Sequence, residues 1–263
     1  MNLFDTHFHF DSDKSPREYV AELPLEHTYK LMCVSGSLED SFQSRDFAAE
    51  IAYAFYSVGV HPQTAETAPA TLEQFAIFRD DPKLKAIGEL GLDFYYENSN
   101  KKTQMKVFDR FLELALEWEK PAIVHCRDLD GCFHAYEECF AILKNFSSAG
   151  GRFVVHCFAG TPHYAERFLE LGGYLGITGI VTFKKAENIR DIVPMIPLER
   201  LLLETDSPYL APVPFRGKVN HPKYLPEIAS AVAQLKAMPL RDLAEQTTEN
   251  AKNFYRIETQ VQS

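Results

Sequence analysis

Histidines and acids recur in this chain at the ends of short apolar runs. Asp5, His7 and His9 close one run and His61 another. Glu89 and Asp93 close a third, His125 a fourth, His156 a fifth, and Glu204 and Asp206 the last. Five of the nine histidines hold such positions. Imidazole with carboxylate is a donor set for divalent metals: Zn, Mn, Ni and Fe suit it, whereas Mg favours oxygen. Carboxylates gathered in one space repel one another unless a cation lies among them. The six candidate ligands His7, His9, Glu89, His125, His156 and Asp206 exceed what one tetrahedral ion uses. Two ions bridged by a carboxylate fit the count better, with Glu89 as the natural bridge.

Such groups meet only if the fold carries the run ends to one place. Eight short β-rich runs, Asn2–Thr6, Lys30–Val34, Tyr56–Val60, Leu84–Glu89, Ala122–His125, Arg152–His156, Tyr174–Thr178 and Arg200–Glu204, are predicted as strands. Helical patterns lie between them, clearest over Thr103–Glu119, where Phe108, Phe111, Leu112 and Ala115 recur at helical spacing. Leu129–Asn145, His163–Leu171, Tyr224–Leu235 and Leu240–Tyr255 are further helix candidates. Pro121 and Gly172-Gly173 stop two of these helices. Strands alternating with helices imply a parallel sheet. At 263 residues a single (β/α)₈ TIM barrel, one domain over 1–263, is the economical closure. Its active face is the C-terminal end of the strands, where the histidines stand. Period-2 alternation puts Asp5, His7 and His9 on one side of their strand, and likewise Ile123, His125 and Arg127. An open dinucleotide-binding sheet is disfavoured by the absence of GxGxxG.

Composition narrows the partners. Against 37 acidic residues stand 27 basic ones, a net charge of −10. Such a chain repels polyanions in general, so any nucleic-acid contact needs a local basic patch or bound cations. Its beginning lacks a secretory pattern, and no apolar run approaches the ~20 residues of a membrane span. The five cysteines, without a CxxC pair, read as reduced thiols in a cytoplasmic protein.

The segments DTHFHFD, GVHP, GELGLDFYY, HCRD, HCFAG, VTFKKA, ETDSPYL and PFRGKVNHP, running in order from Asp5 to Pro222, resemble the motif series of the TatD family. These are metal-dependent deoxyribonucleases within the amidohydrolase superfamily. The resemblance implies His7, His9, Glu89 and Asp206 around one metal, and Glu89, His125 and His156 around the other. Glu89 stands where other barrels of the superfamily often carry a modified lysine. The cofactors expected are two divalent ions, Mg, Mn or Zn.

Two metals suit phosphodiester hydrolysis by an activated water, because both attacking and leaving oxygens carry charge. Asp206 is expected to accept the water's proton, with Glu89 as the second catalytic group. The expected activity is 3′–5′ exonucleolytic cleavage of single-stranded DNA, with RNA left open. Substrate contacts are assigned to His61, Arg127, Lys184, Arg216 and Lys218, the last two in a stretch that matches the family motif. Tyr95, Tyr96 and Tyr209 could stack bases, whereas Phe158, Cys126 and Cys157 read as core. Asp5, Asp93 and Glu204 could orient ligands. Two alternatives stand beside this reading: a metal hydrolase of amides, lactones or aminoacyl esters, and a metal-stabilised interaction module.

Overall fold

A computed structural model describes residues 1–70, 72–96 and 98–258. Its strands are β1 (Asn2–Phe8), β2 (Thr28–Cys33), β3 (Ala54–Val58), β4 (Leu84–Asp93), β5 (Ala122–Arg127), β6 (Phe153–Val155), β7 (Tyr174–Ile177) and β8 (Leu201–Leu203). Each pairs in parallel with the next in chain order. Just past the strand ends, Asp206 N–H donates to His7 O at 2.8 Å and His9 N–H to Ser207 O at 2.7 Å. Thr6 Oγ1 donates to Leu203 O at 3.0 Å. These bonds bring β8 back to β1 and close the expected (β/α)₈ barrel.

The helices are α1 (Pro16–Val20), α2 (Leu38–Glu50), α3 (Lys101–Glu117), α4 (His134–Ser148), α5 (Pro162–Glu170), α6 (Glu187–Ile192), α7 (Leu225–Leu235) and α8 (Leu240–Tyr255). In α3 the predicted stripe is buried, and each fully buried Phe contributes about 1.5–3 kcal/mol relative to exposure. Asn100 caps it three residues before the predicted start at Thr103, accepting from Lys102 N–H at 2.9 Å. The helix predicted from Leu129 instead begins at His134. Asp128 holds the preceding loop by accepting from Ala135 N–H at 2.8 Å. Between β3 and β4 the chain runs through two 3₁₀ segments, Pro62–Ala70 and Leu72–Phe78, rather than an α-helix. No described helix is long and apolar enough to cross a membrane.

Two apolar layers record which way each strand residue faces. The barrel interior holds Phe4, Met32, Val34, Ala86, Ile123, Val154 and Leu202, plugged from below by Ala251, Phe254, Tyr255 and Ile257 of the C-terminal segment. The layer between barrel and helices holds Leu3, Phe8, Leu31, Cys33, Ile87, Leu90, Val124, Cys126, Val155, Leu201 and Leu203. Along β5, β6 and β8 the alternation is regular, so His125, His156 and Glu204 continue the inward series. Along β1 it is not: Phe4 faces in and Phe8 out, although both are even-numbered. The β1–β2 register shifts between Asp5 and Phe8. A bulge there turns His7 inward and leaves Asp5 out of the cluster. The expectation that Asp5 shares a face with His7 and His9 is corrected accordingly. Its carboxylate accepts instead from Thr205 N–H at 2.9 Å and Thr205 Oγ1 at 2.6 Å.

Candidate metal centre

The bulged strands supply the donors that alternation alone would misplace. In β4 the register against β5 shifts between Ile87 and Leu90, around Glu89. Gly88, at φ 148°, takes a backbone conformation that side chains disfavour. Glu89 N–H donates to Ser35 O at 2.7 Å, fixing the strand there. The Glu89 side chain, 2% exposed, then points up the barrel axis.

Around it four imidazoles form two pairs. Glu89 Oε2 lies 3.3 Å from His7 Nε2 and 3.7 Å from His9 Nε2. Glu89 Oε1 lies 2.7 Å from both His125 Nδ1 and His156 Nε2. Within each pair the facing nitrogens are 3.3 Å apart. Asp206 Oδ1 completes the first group, 3.7 Å from His7 Nε2 and 3.5 Å from His9 Nε2. Two donors bound at 2.0–2.1 Å to one tetrahedral cation stand about 3.4 Å apart. The 3.3–3.7 Å separations among His7, His9, Glu89 and Asp206 suit donors sharing one ion, and the 2.7 Å contacts of Glu89 Oε1 are hydrogen-bond distances that a bound cation would lengthen, so the donor set fits divalent metals.

Neighbours fix which nitrogen faces inward. His9 Nδ1 lies 3.0 Å from Val34 O and donates to it, leaving the Nε2 lone pair toward Glu89. His125 Nε2 lies 3.2 Å from Asp93 Oδ2, which leaves Nδ1 for the cluster. Glu204 stands 3.6 Å from His156 Nδ1 and accepts a hydrogen bond from Cys157 N–H. Asp93 and Glu204 therefore sit where ligand-orienting groups were expected. Asp93 is itself held by Gln63 Nε2 at 2.9 Å and by the Tyr95 and Tyr96 amides at 3.0 and 3.2 Å. Gln63 was not singled out from sequence, because nothing in its surroundings there signals a contact with the distant Asp93.

Burial opposes charge throughout this cluster. It would raise the Glu89 and Asp206 carboxyls. The His156 charge and the hydrogen bonds from His125 and His156 outweigh it at Glu89, and the His9 hydrogen bond and His156 charge at Asp206, so both stay ionised. Burial wins at His7 and at His61, whose pKa falls to about 4. At His9, His125 and His156 it loses to hydrogen bonds and charges from the neighbouring carboxylates, and the imidazoles rise. Carboxylates and imidazoles this close need positive charge among them, which bound divalent cations would supply.

The cluster opens into a cleft of about 1150 Å³. Among the described residues seven carboxylates line it: Asp11, Glu39, Asp40, Glu89, Asp128, Asp130 and Asp206. Arg127 is the single Arg or Lys among the described lining residues. Its guanidinium stacks 4.1 Å over the Tyr95 ring and 5.0 Å from the Tyr96 centroid. His61 is also in the wall, 3.6 Å from Glu89 Oε1, and Tyr209 stands at the rim. Lys184, Arg216 and Lys218 are exposed and lie outside this lining. Arg216 instead covers the Phe183 ring at 3.8 Å, and Lys218 lies 5.4 Å from that of Phe215. Arg216 and Lys218 thus fold against aromatic rings. Phe158 and Cys126 are buried as expected. Cys157 differs: at φ 45° it turns into the cleft wall, its Sγ 3.4 Å from Thr178 Oγ1. Asp206 too has positive φ, 55°, and such strained non-glycine residues concentrate at functional sites.

A model of TatD-related DNases matches residues 4–256. The chain belongs to the TatD-related DNase family. It is a metal-dependent hydrolase of that family. Among TatD relatives, the uncharacterised metal-dependent hydrolase YcfH of Escherichia coli (strain K12) is 35% identical over 266 residues, 98% of this chain and 97% of its own. The 3′–5′ ssDNA/RNA exonuclease TatD of Klebsiella pneumoniae (strain 342) is 32% identical over 264 residues, with 98% and 97% covered. The crystal structure of YJJV, a TatD homologue from Escherichia coli K12, superposes with a TM-score of 0.88 at 26% identity, covering 97% of this chain and 98% of that one.

Proposed function

We propose that this chain, acting as one unit over 1–263, is a 3′–5′ exonuclease of single-stranded DNA, and of RNA as a second polymer. It would hold two divalent ions, Mn, Zn or Mg, one between His7, His9, Glu89 and Asp206 and one between Glu89, His125 and His156. The observation that carries the reading is the Glu89 carboxylate, with each oxygen turned to a different imidazole pair. We place the protein in the cytoplasm, where its five unpaired thiols stay reduced.

Divalent cations bound there would supply positive charge to the phosphate oxygens and lower the pKa of water. The chain's own groups do the rest. Asp206, ionised at the cleft floor, takes the proton of the attacking water. Arg127 presents a guanidinium fork that suits two phosphate oxygens. Tyr95, locked beneath Arg127, and Tyr209, 60% exposed, offer faces on which a terminal base can stack. The seven cleft carboxylates would repel a phosphodiester, so substrate binding requires the cations.

The test uses single strands labelled at the 3′ or the 5′ end, incubated with Mn²⁺. Mononucleotides released progressively from the 3′ end are expected, with loss of at least 100-fold in Glu89→Gln and Asp206→Asn. Cleavage of lactones or aminoacyl esters with intact oligonucleotides would refute the nuclease reading.

A further inference from the structure

At the opposite end of the barrel, where the strands begin, lies a second cavity of about 180 Å³. Lys85 enters it from the start of β4, Lys120 from the turn before β5, and Arg152 from the residue before β6. Arg256, the residue after α8, closes it. Among the described lining residues Glu119 is the single acid, and Asp81 acts on Lys120 from outside the lining. In a chain of net charge −10, four cations here face one carboxylate. Among the described residues none of the four forms an ion pair with a carboxylate.

Fold maintenance accounts for only part of this. Arg152 Nη1 donates to Asn253 O at 3.3 Å and Phe254 O at 2.7 Å, satisfying the C-terminal carbonyls of α8. Among the described residues its buried Nη2 has no hydrogen-bond partner. A buried charged donor left unpaired is costly, and structures rarely keep one without a ligand or ordered solvent. Burial and the charges of Lys85 and Arg256 push the Lys120 amine down from its ordinary value, as Arg256 does for Arg152 after burial. The like charges are therefore close enough to repel.

We propose that this cavity binds a phosphate group, as inorganic phosphate or as the terminal group of a phosphomonoester. One water's share of the liquid is roughly 30 Å³, so a five-atom oxyanion fits. The free Arg152 Nη2, the Arg256 guanidinium and the Lys85 and Lys120 ammonium groups, arriving from separate segments, suit a tetrahedral dianion better than a planar carboxylate. The site lies at the far end of the barrel from the imidazole cluster, and its occupancy does not depend on the nuclease reading.

The only tryptophan of the chain, Trp118, lines this cavity and reports on it directly. With a chelator keeping metals away from the other face, Trp118 emission is followed while sodium phosphate is added at constant ionic strength. A saturable change is expected with phosphate and absent with chloride and acetate. Lys85→Gln and Lys120→Gln, which leave the α8 contacts of Arg152 in place, should each weaken it at least tenfold. A parallel titration with a nucleoside 5′-monophosphate distinguishes the two sources: tighter binding assigns the site to phosphomonoesters, and weaker binding to free phosphate. No saturable change, an equal response to acetate, or a response unaltered in both variants would overturn the proposal.

Discussion

Replacing Asp93 by Asn tests how the barrel sets its ligands. Asp93 Oδ1 accepts from the Tyr95 and Tyr96 amides, and Oδ2 from Gln63 Nε2 and His125 Nε2. Burial would raise this carboxyl, but the His125 hydrogen bond and charge bring its pKa to about 2, so it is ionised in any assay. In the variant the two backbone donors keep the amide oxygen, and the amide nitrogen turns to His125. Gln63 cannot flip freely to compensate, because its Oε1 accepts from Asn98 Nδ2 at 3.0 Å. His125 Nε2 must then accept, which moves the imidazole proton to Nδ1, the atom 2.7 Å from Glu89 Oε1. That N–H points where a cation would bind. Loss of such an orienting partner typically costs 10–100-fold in metal affinity, or about 1.4–2.8 kcal/mol. His7, His9 and Asp206 are untouched. Mn²⁺ titration followed by electron paramagnetic resonance should therefore show two phases, with only the one belonging to Glu89, His125 and His156 weakened. Equal weakening of both phases, or of neither, would refute the argument.

Two further outcomes concern stability. Gly176→Ala would place a Cβ 2.5 Å from the Glu204 carboxylate carbon. Forced displacement of this kind costs about 1–3 kcal/mol, roughly 2–12 °C in thermal melting; an unchanged melting temperature would show that Glu204 moves freely. His221 is buried and neutral, accepting at Nδ1 from Lys223 N–H at 3.0 Å and donating from Nε2 to Tyr19 O at 3.2 Å. Burial, then Lys223, lowers its pKa from 6.5 to about 4. The unfolded chain binds the extra proton between those values, so stability is full above pH 6.5 and is lost as pH falls toward 4. The gap amounts to about 3 kcal/mol. Denaturant titrations of His221→Gln at pH 7 and pH 4 should show a drop smaller by that amount than in the parent chain; equal drops would contradict the assignment.

The barrel and its active face were legible because strand ends carried the chemistry. His125, His156 and Glu204 lie on strands whose alternation is unbroken, so counting by twos locates them correctly. Asp5 and His7 were another matter. Nothing in DTHFHFD marks the extra residue that separates Phe4, inside the barrel, from Phe8, outside it. The bulge depends on pairing with β2 and on closure against β8, both remote in sequence. The positions of the predicted basic residues also depend on contacts remote in sequence. Lys184, Arg216 and Lys218 follow strands whose ends face the cleft, yet long side chains on loops reach the nearest aromatic ring, and phenylalanines draw two of these cations away. Arg127 lies in the cleft wall because it extends β5 itself. The cation-lined cavity beneath the barrel was invisible to motif reading, since its four charges come from four unrelated segments.

We infer that Glu89 joins two metal positions. Diffraction from crystals soaked in MnCl₂, with anomalous differences collected at the manganese edge, examines it most directly. Two peaks are expected, one on each side of the Glu89 carboxylate, the first flanked by His7, His9 and Asp206 and the second by His125 and His156. A single peak, or density lying apart from Glu89, would contradict the account.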